Sequence, residues 1–328
     1  MTETITRIEN GNEIDSLLNK HFLTKIRSGF VEVGENKYCL PVSYEKFRDD
    51  LQNFEVRDSD VYLIAHPKTG TTWALEMIWL IINDLNYEGA KKPNYIRSRN
   101  LDASMYTENK MDLDINYMDQ LNQIPAPRFL RCHLPWSLLP EQIKNGTKKP
   151  KIISIVRSAE DVCVSYYHHC KLMEGYTGSF DEFCQLFIAG RVCFGPFWKS
   201  VVDTWQHRHS SNLHFIQFAE MKKNLTGVIK DVAQFLERDL NDDAVEQLAK
   251  HLDFEKMKHN PAVNMTHTLD SYCKTFNLTT AAGDFIRKGA VGGYKSEMTE
   301  EQIELFKKWT QESLEGTDMN IEELYPTQ

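Results

Sequence analysis

Apolar positions follow two regimes along the chain. Short β-branched runs of strand length are each followed by a stretch with helical spacing: Val61–Ala65 precedes Thr71–Leu85, and Ile152–Val156 precedes Asp161–Leu172. Runs that are apolar at every position read as strands buried on both faces, and their alternation with helices predicts a parallel sheet. Phe129–Cys132 and Leu213–Phe218 are two further strand candidates, the second leading into a helix near Gly227–Leu236. The C-terminal third is helical, with Val245, Leu248 and Leu252 recurring within Asp242–Leu252 and Ile303, Phe306 and Trp309 within Glu300–Ser313. From about residue 260 to 296 the periodicity is lost, and so long a stretch inside a compact domain reads as a functional loop or lid.

The expected class is therefore α/β, with a central, mostly parallel sheet, helices on both faces and a P-loop-like strand–loop–helix. A length of 328 residues admits one or two domains. No repeat, low-complexity tract or Pro/Ser-rich linker divides the chain, so a single domain over residues 1–328 is expected. A hydrophobic content of 41% with 26% charged residues excludes disordered and collagen-like classes. The most apolar stretch, Trp73–Ile82, is well short of the roughly 20 residues that span a bilayer. The opening residues are acidic and lack an apolar core, unlike a secretory or transit peptide. Seven cysteines without a C-x-x-C pair suit reduced thiols, and cytoplasmic placement is the expectation that follows.

Lys and Arg total 38 against 47 Asp and Glu, a net charge of −9, which disfavours nucleic acid and anionic membranes as partners. An anionic ligand must then be captured by a local basic site. The loop Pro67-Lys68-Thr69-Gly70-Thr71-Thr72-Trp73 sits between a buried strand and an apolar helix, where a doubly wound sheet binds phosphate. Free N–H groups at the helix start, the close approach that Gly70 permits, the Thr71 and Thr72 hydroxyls and the Lys68 charge all suit a phosphate. The same residues also fit an ordinary strand-to-helix turn with Thr caps. A Walker A loop is excluded, because there the lysine follows the glycine, whereas Lys68 precedes Gly70.

On a strand ending at Cys132, Arg131 and His133 share a face and Cys132 points away, so Arg131 and His133 can serve one site. Histidine is matched to proton transfer near neutral pH. Arg157 falls at the carboxyl end of the Ile152–Val156 strand, Ser158 and Asp161 have capping-box spacing, and Ser165 lies about two turns into the next helix. Arg287-Lys288-Gly289 supplies a second basic cluster within the aperiodic stretch. His168 and His169 diverge by about 100° on a helix and cannot share one ion, so no metal site is expected.

With these segments in place, the chain resembles the cytosolic sulfotransferases. Four motifs in order carry the resemblance over about residues 30–315: the family's P-K-[ST]-G-T-T-W as residues 67 to 73, K-x-H-L-P as Arg131 to Pro135, R-x-x-x-D-x-x-x-S-Y-Y as Arg157 to Tyr167, and F-x-R-K-G-x-x-G as Phe285 to Gly292. The resemblance implies a co-substrate, 3′-phosphoadenosine 5′-phosphosulfate, leaving as adenosine 3′,5′-bisphosphate, and no metal. It implies that Lys68, Thr69, Gly70, Thr71 and Thr72 hold the 5′-phosphosulfate, that Trp73 and Phe254 pack on adenine beside Phe218, and that Arg157, Ser165, Arg287, Lys288 and Gly289 bind the 3′-phosphate. His133 would take the acceptor's proton, with Lys68 and Arg131 beside the transferring sulfonate.

Several positions depart from the family pattern. Arg131 stands for lysine, Phe218 for the tyrosine of Y-E-D-M, and Leu252-Asp253-Phe254 for T-S-F, so two polar contacts to the nucleoside are replaced by apolar ones. Gly292-Gly293-Tyr294-Lys295-Ser296 replaces G-D-W-K-N. The dimer motif reads Lys295, Thr299, Glu300 and Glu304, with Glu300 where an apolar valine would be, so a homodimer by this route stays open. The expected partner is a small acceptor of phenol, steroid, catecholamine or retinoid type, its pocket built partly from Tyr87 to Asn122 with Tyr95, Met105, Tyr106, Met111, Tyr117 and Met118. Two alternatives stand beside the transferase: a dehydratase that sulfonates an alcohol such as retinol to expel it, and a binding protein without turnover.

Overall fold

A computed structural model describes residues 3–106, 117–265, 269, 273–275 and 284–319. Among the described residues, eight strands form two sheets: β1 (Ile5–Arg7), β2 (Phe30–Val33), β3 (Tyr38–Pro41), β4 (Val61–Ile64), β5 (Arg99–Asn100), β6 (Phe129–Cys132), β7 (Lys151–Val156) and β8 (Leu213–Gln217). The main sheet has the order β5-β6-β4-β7-β8, and every pairing in it is parallel. Its centre is β4, whose four residues are all buried, as a strand covered on both faces must be.

The two faces are covered by different helices. Thr71–Ile82 packs through Ala74, Leu75, Ile78 and Ile81 into one cluster with Leu63, Ile153 and Ile229, while the helix Ala159–His169 packs through Val162, Cys163 and Tyr166 into a second cluster with Tyr62, Ile64 and Ile152. Alternate residues of β4 thus feed opposite cores, which is the period-two consequence of a pleated strand. The chain runs from β4 to β5 and β6 on one side and to β7 and β8 on the other, so the order reverses at β4. In an open α/β sheet that switch point, beyond the carboxyl ends of the strands, is where a ligand cleft forms.

The expected α/β class, the four strand candidates and the helices of the C-terminal third are present. The differences lie at ends and caps. The helix expected over Thr71–Leu85 stops at Ile82, since Asp84 and Leu85 take positive φ of 50° and 56°. The helix expected from Asp161 begins at Ala159 and widens at Cys170 into a π turn that runs to Glu174 and closes on Gly175. Ser158 precedes it without any side-chain cap bond, so the expected capping box is absent: Asp161 instead accepts from the backbone N–H groups of Gly292 and Tyr294 at 2.9 and 3.1 Å. A long-range demand on the carboxylate outweighs the local one. Of the stretch expected to be aperiodic, Gly293–Ser296 is one short 3-10 turn, and residues 266–268, 270–272 and 276–283 lie outside the described residues.

The antiparallel sheet β1-β2-β3 was not foreseen. Tyr38, Cys39 and Leu40 bury it against the core, and Cys39 exchanges backbone bonds with Gly195 and Phe194 at 2.7 and 2.8 Å. Those bonds hold Phe194 at a φ of 65° beside the end of β6. Among the described residues no helix is long and apolar enough to cross a membrane.

Candidate active site

The loop after β4 is built around two positive φ values, 71° at Lys68 and 117° at Gly70. A Cβ at Gly70 would stand 2.6 Å from Phe218 Cδ2, so only glycine lets the turn close against that ring. The turn presents the start of the helix Thr71–Ile82, with Thr71 and Thr72, to a cleft. The cleft encloses about 1090 Å³ with its open mouth included, and Lys68, Gly70, Thr71, Thr72, Trp73, Arg157, Ser165, Phe218, Phe254, Arg287, Lys288 and Gly289 all line it. Residues far apart in sequence thus meet at one surface. Thr69 does not line it: the side chain is buried under the turn and its hydroxyl donates to the His66 carbonyl at 2.9 Å.

One end of the cleft is basic. Arg157 lies over the Phe218 ring at 4.3 Å, donates to the Ala290 carbonyl at 2.7 Å and stands 3.6 Å from Asp161. Its Nε is buried without a partner. Arg287 and Lys288 reach Glu297 at 2.5 and 3.2 Å, and His168 bonds the same carboxylate at 2.5 Å. Burial alone would raise the Glu297 pKa, but the bonds from His168, Arg287 and Lys288 outweigh it and hold it at about 2. Part of the lining is apolar: Trp73 packs edge-on against Phe218 at 5.8 Å and donates through Nε1 to the Leu252 carbonyl at 2.9 Å. Gly289, at a φ of 54°, touches Phe254, and Lys222 lies over both Trp73 and Phe254.

Lys68 lines the cleft too, with Nζ 4.6 Å from the centre of the Phe285 ring and its backbone carbonyl accepting from Arg157 Nη1 at 3.4 Å. Burial pushes its pKa down to about 8. Arg131 and His133 do not line the same cleft, but the charges of both Lys68 and Arg131 act on His133. His133 follows β6, and its Nδ1 lies 2.6 Å from the Ala65 carbonyl, which can only accept, so Nδ1 carries the proton and Nε2 is left free to take one. Its backbone N–H donates to Asp102 Oδ2 at 2.7 Å. Burial lowers the imidazole pKa, and the Asp102 charge opposes that shift.

The acceptor-side residues divide. Tyr106 is partly buried against Phe194 at 5.9 Å, and Phe194 packs on His133 at 5.5 Å, so these rings adjoin the imidazole. Tyr117 bonds the Asn100 carbonyl at 2.8 Å, and Met105 and Met118 belong to the core. Tyr87 lies on the other face of the sheet, against His251 at 5.2 Å, and Tyr95 is 42% exposed, so neither is near His133. Met111 is outside the described residues. Thr299 caps the helix Glu300–Leu314 in a capping box with Gln302, and Glu300 and Glu304 are exposed on it. Asp102, Glu174 and Glu297 escaped sequence reasoning, and His169 and Phe285 were given no role in the site, since a partner far along the chain defines each of them. Among the described residues no cluster of His, Cys, Asp or Glu is placed to hold a metal ion.

Comparison with known proteins agrees with this architecture. Residues 58–318 match the sulfotransferase domain family. A luciferin sulfotransferase of Photinus pyralis is 38% identical, over 97% of this chain and 88% of that one, and an amine sulfotransferase of Oryctolagus cuniculus is 33% identical over 82% and 85%. Among solved structures, a retinol dehydratase in a complex with retinol and PAP superposes with a TM-score of 0.87 at 27% identity, covering 98% of this chain and 99% of that one. The chain therefore belongs to the cytosolic sulfotransferase family and is an enzyme that transfers a sulfonate group to small acceptors.

Proposed function

We propose that the donor is 3′-phosphoadenosine 5′-phosphosulfate and that His133 is the general base of an in-line transfer. The observation that carries this is one cleft lined by two sets of anion-binding groups, Lys68 with the helix start and Arg157 with Arg287 and Lys288, together with the apolar Trp73, Phe218 and Phe254. A nucleotide with an anionic group on each side of its ribose matches that pattern. The buried Arg157 Nε without a partner and the backbone at Gly70 and Gly289, where a Cβ would clash, fit close phosphate contacts. The apolar Phe218 and Leu252 leave adenine to be held by packing rather than by polar bonds.

In this mechanism the donor's sulfur–oxygen bond to the 5′-phosphate breaks as the acceptor oxygen or nitrogen bonds to sulfur. His133 Nε2 accepts the acceptor's proton, held to that role by the Ala65 carbonyl on Nδ1. Lys68 stabilises the charge that develops on the departing phosphate oxygen, an interaction stronger in the transition state than before it. Arg131 adds positive charge beside His133. Phe194 and Tyr106 give the acceptor an aromatic wall, which favours flat apolar alcohols, phenols or amines.

The likeness to a retinol dehydratase supports a second reading, in which a sulfonated alcohol loses its sulfate together with a proton from carbon to give an alkene. Both readings are tested by incubation with the donor and a panel of phenols, steroids, catecholamines and retinol, followed by mass analysis. A product heavier by one sulfonate supports the transferase, and a product lighter by one water supports the dehydratase. Donor binding without any product would support a binding protein instead.

A further inference from the structure

A second imidazole stands in the same cleft as Lys68. His169 closes the helix Ala159–His169 and lines the cleft together with Lys68 and Phe285. The Phe285 ring adjoins both groups: its centre is 6.0 Å from the His169 ring and 4.6 Å from Lys68 Nζ. His169 Nε2 is 3.8 Å from Glu174 Oε1, and Glu174 Oε2 accepts from Arg27 Nη1 at 2.6 Å. Nδ1 is buried with no hydrogen-bond partner. A buried ring nitrogen left unpaired is costly, so a site that keeps one beside a ligand cleft is suited to a ligand that completes it.

We propose that His169 contacts the group being transferred, donating a hydrogen bond to a sulfonate oxygen while Glu174 and Arg27 fix its ring. The inference rests on Lys68 anchoring the sulfonate. Burial, then the charges of Lys68 in the loop, His133 after β6 and Arg27 before β2, hold the ring neutral. A sulfonate between Lys68 and His169 reverses that balance: with Glu174 facing one nitrogen and a sulfonate oxygen the other, the ring sits between two anions and takes up a proton. His169 forms and breaks no bond to sulfur. The sulfur–oxygen bond to the phosphate breaks, the bond to the acceptor forms and the acceptor's proton goes to His133, while the imidazolium offsets the charge on the sulfonate oxygens.

The test is His169→Phe, which keeps an aromatic ring against Phe285 but removes the donor, with His169→Gln, which restores one. His169→Phe should lower kcat on the order of 10²-fold, the scale of one preorganised donor to a developing charge. Its Kd for adenosine 3′,5′-bisphosphate, which carries no sulfonate, should stay within about twofold of wild type, and His169→Gln should recover part of kcat. An unchanged kcat in His169→Phe, or a loss matched by equally weakened bisphosphate binding, would overturn the proposal. Lys68→Met separates it from the reading beneath it: if that substitution leaves kcat intact, the placement of the sulfonate is wrong, whereas if it lowers kcat and His169→Phe does not, only the role of His169 fails.

Discussion

Asp102 holds His133 by its backbone, accepting the His133 N–H at 2.7 Å from a position 31 residues earlier in the chain, and its charge opposes the effect of burial on the imidazole. Asp102→Asn keeps a hydrogen-bond acceptor and removes that charge. With burial then less opposed, the His133 pKa falls further, so the acid limb of kcat/KM should move to lower pH. The plateau should drop by up to about tenfold, because a weaker base is poorer at proton removal. A limb that stays in place or moves upward would contradict this, and a pH series on the two proteins decides it.

Lys68, with its pKa pushed down to about 8 by burial, loses its charge as the pH of the donor-free enzyme rises through that value. The charged ammonium is the form that binds an anion, so kcat/KM for the donor should fall above about pH 8. The bound anion holds the ammonium protonated, so kcat should stay level there. Lys68→Met should cost on the order of 10²- to 10³-fold in kcat. Steady-state rates at saturating and limiting donor separate these effects.

Gly70→Ala and Gly289→Ala introduce a Cβ 2.6 Å from Phe218 and 2.5 Å from Phe254, at φ values of 117° and 54°. Each should weaken bisphosphate binding at least about tenfold, and the backbone strain should cost on the order of 1–3 kcal/mol. Gly34→Ala is the control, with a φ of 68° and nothing within 4 Å of the new Cβ. Gly34→Ala shares the backbone strain but not the clash, so calorimetric titration decides the set, and an equal loss of binding in all three would contradict the account.

Asp161 ties the basic end of the cleft together, accepting from Gly292 and Tyr294 and facing Arg157. Asp161→Ala should free that loop and raise the bisphosphate Kd by on the order of tenfold, the value of one or two charge-assisted bonds. A Kd unchanged from wild type would show that Arg157 and Gly292 are positioned without it.

The parts of this protein that local pattern encodes were legible. β4 and β7 are apolar at nearly every position because both faces are covered, and the glycine-containing turn after β4 marks the switch point. Asp161 shows where pattern fails: its spacing from Ser158 suggests a local cap, yet its partners are 131 and 133 residues away. His169 was read as half of a failed metal pair, and only the fold sets it beside Glu174 and Phe285. Tyr87 and Tyr106 look alike in sequence, but they lie on opposite faces of the sheet and only Tyr106 reaches the rings beside His133.

The most direct test of the central claim is transfer of labelled sulfonate from 3′-phosphoadenosine 5′-phosphosulfate to an acceptor that supports turnover, measured for the wild type and His133→Ala. Acceptor-dependent label transfer in the wild type, reduced by at least about 10²-fold in the variant while bisphosphate still binds, is the predicted result. Transfer by His133→Ala at the wild-type rate would contradict the assignment of the base, and failure of the wild type to bind the donor would contradict the reading of Lys68, Arg157 and Arg287.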